Sequence, residues 1–153
     1  LEVQTLQLQT AALQPCRCCG TGWGSCAHGQ CVLDDAFETI YETMRDAEAL
    51  VLITPVYWHD LAEPLKLLLD RVRHCDLRGG NHWLKGKKTL IAAVAKGTSN
   101  GIMHCLDNLG YTLNHLELDV KDRLPVTAFS KAYMLPALRG AAESLAALLR
   151  AEQ

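Results

Sequence analysis

Residues 50–71 read LVLITPVYWHDLAEPLKLLLDR, and this stretch decides the fold. Leu50 to Thr54 is a short apolar run that stops at Pro55. Runs of this length and composition read as a strand buried on both faces. Tyr57 and Trp58 fall in the turn, and an amphipathic helix follows, with Pro64 suited to its first turn. Leu61, Leu65, Leu68, Leu69 and Val72 form the inward stripe of that helix. The unit is strand, loop, helix, with flat rings at the carboxyl end of a buried strand. Open α/β sheets bind ligands at that end.

The same grammar extends in both directions. Upstream, Glu2 to Leu8 alternates and predicts a strand. Residues 14–33 form an irregular cysteine-rich loop holding five Cys and four Gly. Asp35 and Glu38 predict a capping box opening a helix whose face is Phe37, Ile40, Tyr41, Met44 and Ala47. Downstream, Gly79, Gly80 and Asn81 predict a turn, and Thr89 to Ala95 a second buried strand. Gly97 to Gly101 predicts a polar loop, followed by a helix from Ile102 to about Leu109. Leu113 to Leu118 predicts a third, more polar strand. A last helix from Tyr133 to Arg150 turns Leu135, Leu138, Ala142, Leu145 and Leu149 inward. Alternation of strands and helices predicts a parallel sheet covered on both faces, with right-handed crossovers.

The chain of 153 residues predicts a single domain over 1–153. Half the residues are apolar, and the formal charge is −2, so nothing argues for nucleic acid or an anionic membrane as partner. No apolar run reaches the roughly 20 residues a transmembrane helix needs. No basic-then-apolar leader is visible. Seven cysteines crowd unevenly, five of them between Cys16 and Cys31. A chain otherwise able to build an ordinary core fits a cytoplasmic protein with a metal or redox cluster better than a disulfide scaffold.

Three loops could carry chemistry. Pro55, Val56, Tyr57 and Trp58 offer backbone donors and stacking faces for a planar heteroaromatic ligand; equally, the rings could plug a sheet edge or an oligomer interface. Gly97, Thr98, Ser99, Asn100 and Gly101 let backbone approach a ligand and supply hydroxyl donors, although most such loops are only tight turns. Cys16, Cys19, Cys26 and Cys31 supply four thiolates, enough for a [4Fe–4S] cluster or a tetrahedral zinc, with Cys18 a spare; the plain alternative is free or oxidised thiols. His28 could replace a thiolate, and His59 could donate to a ligand or simply lie at the surface. Asp70 and Arg71 read as helix-end electrostatics, Cys75 and Cys105 as small buried hydrophobes.

Taken together, Pro15-Cys16-x2-Cys19, Cys26-x2-Gly29-x-Cys31-x2-Asp34-Asp35, Leu52 to Trp58, Leu65-Lys66-x3-Asp70-Arg71 and Leu84-Lys85-Gly86-Lys87 resemble the NADPH-dependent FMN reductase family. Within it the chain is most similar to the iron–sulfur flavoproteins. The resemblance implies a flavodoxin-like fold of strand order 2-1-3-4-5 and an FMN held between the loops 55–58 and 97–101. It implies an oxidoreductase that takes hydride from NAD(P)H, NADPH or NADH, and passes electrons to a small-molecule or protein acceptor. It also implies assembly as a homodimer or tetramer. Two features depart from the family. Its opening strand and phosphate-holding loop are not in this sequence, so an amino-terminal segment is expected to be missing, and Leu1 to Leu8 matches its second strand. Gly20 to Ser25 lengthens the interval between the second and third cysteines of the cluster motif. The rival from another class is a non-enzymatic flavodoxin-like interaction or metal-binding module that uses the cysteine loop.

Overall fold

The computed structural model describes residues 2–19 and 29–152. They fall into two compact units interleaved along the chain: 48–62 with 86–152, and Glu2–Ala47 with Glu63–Lys85.

The first unit is a sheet with two helices. Its strands are β1 (Ala49–Tyr57), β2 (Asp60–Leu61), β3 (Lys88–Ala95) and β4 (Asp119–Thr127), in the order β2-β1-β3-β4. β1, β3 and β4 run parallel, with Ala49 opposite Lys88 and Pro55 opposite Val94. β2 is antiparallel to the end of β1, which makes the sheet mixed. β3 is the interior strand, and Leu90, Ile91, Ala92 and Ala93 are all buried on its two faces. β1 is not buried throughout as its composition predicts. Period two puts Val51 and Ile53 on one face, and they are 54% and 63% exposed because no described residue covers them. Over 49–55 the outer edge of β1 pairs with no described strand. The family resemblance puts its first strand at that edge.

Two further predictions fail in this unit. Leu113 to Leu118 is not a strand: α3 runs Ile102–His115, and Leu109, Leu113 and Leu116 continue the spacing of Ile102, Cys105 and Leu106 around one buried helical face. The strand lies later, at β4, where exposed Lys121, Asp122 and Arg123 conceal it in the sequence. An outer strand tolerates these charges, and tolerates Pro125, which has no N–H to give a further neighbour. The last helix, α4 (Lys131–Ala151), turns inward less than its pattern predicts. Leu145 is buried and Leu138 and Leu149 half-buried, while Leu135 and Ala142 are exposed. Pro136, inside the helix, removes one N–H from the ladder in its exposed first half.

The second unit is helical. α1 (Phe37–Asp46) buries Phe37, Ile40, Tyr41 and Met44. α2 (Glu63–Val72) buries Leu65, Leu68, Leu69 and Val72, with Pro64 in its first turn. Each such side chain contributes about 1.5–3 kcal/mol on burial. Past Val72 the chain widens into a π-helical segment, Arg73–Arg78, in which the Gly79 N–H reaches the His74 carbonyl at 3.0 Å. The predicted strand at Glu2 to Leu8 is absent. Residues 2–7 are irregular, and Leu8–Thr10 is one 3₁₀ turn. An alternating segment needs a strand to pair with, and no described residue of this unit is in one. The capping box is also altered. Asp35 accepts the Phe37 N–H at 3.0 Å, but Ala36 is the N-cap and Glu38 is exposed. The second Asp35 oxygen instead takes the Gln14 N–H at 2.7 Å.

Candidate functional site

In the first unit, parallel pairing of β1 with β3 sends the loops after both strands to one rim. The loop after β1 is a two-residue hairpin: Val56 opposes Leu61, Tyr57 opposes Asp60, and Trp58 and His59 make the turn. Both turn residues have positive φ, +48° and +69°. Two-residue hairpins of this kind normally use Asn-Gly, because a side chain in the left-handed region costs on the order of 1 kcal/mol. The turn is pinned from below. The buried Thr54 hydroxyl accepts the Ala62 N–H at 2.9 Å and donates to the Pro55 carbonyl at 2.9 Å. Asp60 accepts its neighbour Leu61's N–H at 2.8 Å and the Asn108 amide at 3.4 Å.

The loop after β3 meets this hairpin at Gly101. That glycine has φ +82°, and a Cβ there would lie 2.5 Å from the His59 ring and 2.8 Å from its Cα. Only glycine lets the loops approach so closely. His59 also lies 5.6 Å, ring to ring, from His104 on α3. Asn100 gives its N–H to the Thr98 hydroxyl at 3.4 Å, which tightens the loop. Pro55, Val56, Tyr57, Trp58, Gly97, Thr98, Ser99, Asn100 and Gly101 therefore share one rim. Their exposure is uneven in a telling way. Trp58 is 96% and Tyr57 61% exposed, although the backbone beneath them is fixed. The strained turn thus holds up an indole that nothing among the described residues covers.

This rim fits a planar, polar-edged ring. It offers aromatic faces, hydroxyls at Thr98 and Ser99, and open space before Gly97, where an added Cβ would meet nothing. Among the described residues, the backbone N–H groups of Gly97, Thr98 and Ser99 find no acceptor. Cys105, behind the rim on α3, is fully buried, and burial together with the Asp60 carboxylate pushes its thiol up to about 11.

Among the described residues, the second unit holds Cys16, Cys18, Cys19, Cys31 and Cys75. Here Arg71, read from sequence as helix-end electrostatics, is wholly buried. It donates to Asp35 at 2.6 Å, to the Gln14 carbonyl at 3.3 Å and to Cys31 Sγ at 3.1 Å, and lies 4.2 Å over the Phe37 ring. Burial works against both charges of the Arg71–Asp35 pair. Their mutual contact, with the N–H groups of Gln14 and Phe37, still holds the Asp35 carboxyl below its ordinary range and keeps Arg71 charged. Asp70, its neighbour, makes an exposed pair with Lys66.

A second buried carboxylate, Asp76, accepts the Tyr41 hydroxyl at 2.7 Å and the Trp83 N–H at 2.9 Å. Burial, then Asp76, drives the Tyr41 hydroxyl far above its ordinary range. Gly29, at the end of the cysteine loop, docks where Asn81 bridges its carbonyl at 3.3 Å and that of Cys75 at 3.0 Å. Gly79 has no room for a side chain there: a Cβ would stand 2.3 Å from Gly29 Cα.

Cys16, Cys19, Cys31, Arg71, His74 and Cys75 help line a small cavity of about 10 Å³. Of the four cysteines expected to bind metal, Cys26 lies outside the described residues, as does His28. The closest cluster is a different set, Cys16, Cys18 and His74, with one ligand atom from each within 4.8 Å of the others. Burial raises the Cys16 thiol. His74 went unread in the sequence; its signal is that it continues the α2 face three residues beyond Arg71.

Together, the parallel strands and their two-loop rim define an open α/β protein of the kind that binds ligands at the carboxyl ends of its strands. The model of the NADPH-dependent FMN reductase family matches residues 1–123, and the chain belongs to that family. An iron–sulfur flavoprotein of Methanosarcina thermophila is 35% identical over 101 residues, covering 65% of this chain and 49% of its own length. The chain thus spans about half the length of the curated relatives it matches. Among solved structures, general stress protein 14 of Treponema denticola in complex with FMN superposes with a TM-score of 0.53 at 22% identity, over 76% of this chain and 73% of that one. An NADPH-quinone reductase from P. pentosaceus gives 0.55 at 18% identity, over 66% and 70%. At these identities the likeness bears on the fold, which is flavodoxin-like. Among the described residues no helix is long and apolar enough to cross a membrane.

Proposed function

We propose that the chain carries the ring-binding rim of an FMN-dependent NAD(P)H oxidoreductase that delivers electrons to a small-molecule or protein acceptor. The observation that carries this reading is the strained Trp58–His59 turn, which raises an uncovered indole beside open backbone amides. On this reading Tyr57 and Trp58 face the isoalloxazine and keep water from it. Gly97, Thr98 and Ser99 give N–H groups to its polar edge, and Gly101 sets the gap between the loops. The flavin, when bound, accepts hydride from a nicotinamide and releases electrons singly or in pairs. No side chain of the rim is assigned an acid or base role, because orientation and exclusion of water are what the protein supplies. Family membership supports the reading, as does a fold neighbour whose structure contains FMN. The test is anaerobic addition of NADPH, then NADH, to the chain loaded with FMN. Bleaching of the flavin absorbance, faster than for free FMN, is expected. Bleaching no faster than for free FMN would overturn the proposal.

A further inference from the structure

We propose that Cys16, Cys18 and His74 form a binding site for one thiophilic divalent cation, zinc by preference, in place of the four-cysteine set the sequence suggests. Three observations carry it. The two Sγ atoms and a ring nitrogen of His74 lie within 4.8 Å of one another. A tetrahedral zinc with Zn–S bonds of about 2.3 Å holds its sulfurs about 3.8 Å apart, so the ligands need close by only about 1 Å. Second, His74 is 8% exposed, and its Nδ1 is sealed from solvent with no hydrogen-bond partner among the described residues. A buried ring nitrogen left unpaired is costly, and a metal ion is a partner that satisfies it. Third, the Cys18 N–H points at Cys16 Sγ from 3.5 Å, the orientation that stabilises a metal-bound thiolate.

The surroundings suit an ion. The adjoining cavity, about 10 Å³, holds about one water-sized body. Cys18 is exposed, which leaves the cation a way in. The Arg71 charge does not oppose it, because Asp35 already pairs with that guanidinium. Cys31 is engaged with Arg71 Nη2 at 3.1 Å, which argues against its serving as a ligand. Two thiolates and one imidazole give a tetrahedral ion three protein ligands and an open fourth position. On coordination the two thiol protons leave as the dication enters, so charge balances without a redox partner.

The experiment strips the full chain with chelator under reducing conditions and titrates it with Co(II), then displaces cobalt with Zn(II). One cobalt per chain is expected, with thiolate-to-cobalt charge transfer and the intense visible bands of a tetrahedral ion. Cys18→Ser removes one of two thiolates and should leave about half the charge-transfer intensity. His74→Gln should keep that intensity while shifting the visible bands. Each should weaken zinc binding by more than the roughly 10–100-fold seen on losing an outer-shell partner. Cys19→Ser and Cys26→Ser should bind as the parent does. Circular dichroism checks folding, and if His74→Gln fails to fold, the exposed Cys18→Ser carries the test. The proposal is overturned if folded chain takes up no stoichiometric cobalt, or if Cys18→Ser binds zinc as the parent does. It is equally overturned if Cys19→Ser or Cys26→Ser abolishes binding, or if the chain assembles an iron–sulfur cluster on those cysteines.

Discussion

The rim of the sheet and the pocket under the cysteine loop are built on opposite plans. At the rim, backbone is held tightly and side chains are left free: Thr54, Asp60 and Gly101 fix two loops, and the rings they present are exposed. In the cysteine region, side chains do the holding. Arg71 alone engages Asp35, Gln14, Cys31 and Phe37, and Asp76 engages Tyr41 and Trp83. The lesson is about where each region is vulnerable. Changes at the rim should alter binding with little loss of stability. Changes around Arg71 should cost stability first.

The largest expected effect is at Arg71. Arg71→Leu leaves Asp35 buried without its counter-charge, which costs about 3–5 kcal/mol, read as a fall in denaturant midpoint at unchanged slope. Arg71→Lys should recover only part of this, since an ammonium cannot serve Asp35, a carbonyl and a sulfur from one planar fork. Next comes Gly79→Ala. Its φ is ordinary, so the whole penalty is steric, and overpacking against Gly29 and the Cys75 carbonyl should cost about 1–3 kcal/mol by the same measurement.

Acid should act on the same region. The Asp35 carboxyl is held below its ordinary range in the folded protein, so its contribution is complete above the unfolded value near 4 and is lost as pH falls through the folded value. Asp35→Asn should remove that part of the acid-stability slope below the ordinary carboxylate range. An unchanged slope would mean that another carboxylate carries it.

Trp58→Gly should behave in the contrary way. Relief of a left-handed side chain raises stability by about 1 kcal/mol, while loss of a stacking face weakens FMN binding by up to roughly tenfold. A drop in stability here would erase the contrast between the regions. The smallest effect concerns thiol chemistry. Cys105, fully buried with its thiol pushed up to about 11, should resist a disulfide reagent at neutral pH while the exposed Cys18 and Cys19 react.

The parts legible in the sequence were those with a single physical signal. β3 showed itself as an unbroken apolar run, and α1 and α2 by apolar spacing of three and four. β4 was hidden because an outer strand can carry Lys121, Asp122 and Arg123. α3 was cut short because Asn108, Gly110 and Thr112 dilute its pattern, although Leu109, Leu113 and Leu116 keep the helical period. The nine rim residues could be named, but not the hairpin. Trp-His is a poor sequence for a turn needing two positive φ values, and nothing local announces it. Around the cysteines the legible part was composition and the hidden part was partnership. Arg71 and His74 look like surface residues at a helix end until the chain continues past Val72 as a π-helical segment and buries both.

The central claim is that the rim around Trp58 receives the flavin ring. Titration of FMN with the chain and with its Trp58→Gly variant, followed by flavin fluorescence, tests it most directly. The account predicts saturable one-to-one quenching by the parent chain and a several-fold weaker curve, with less quenching at saturation, for the variant. Identical curves, or no saturable binding by the parent, would contradict it.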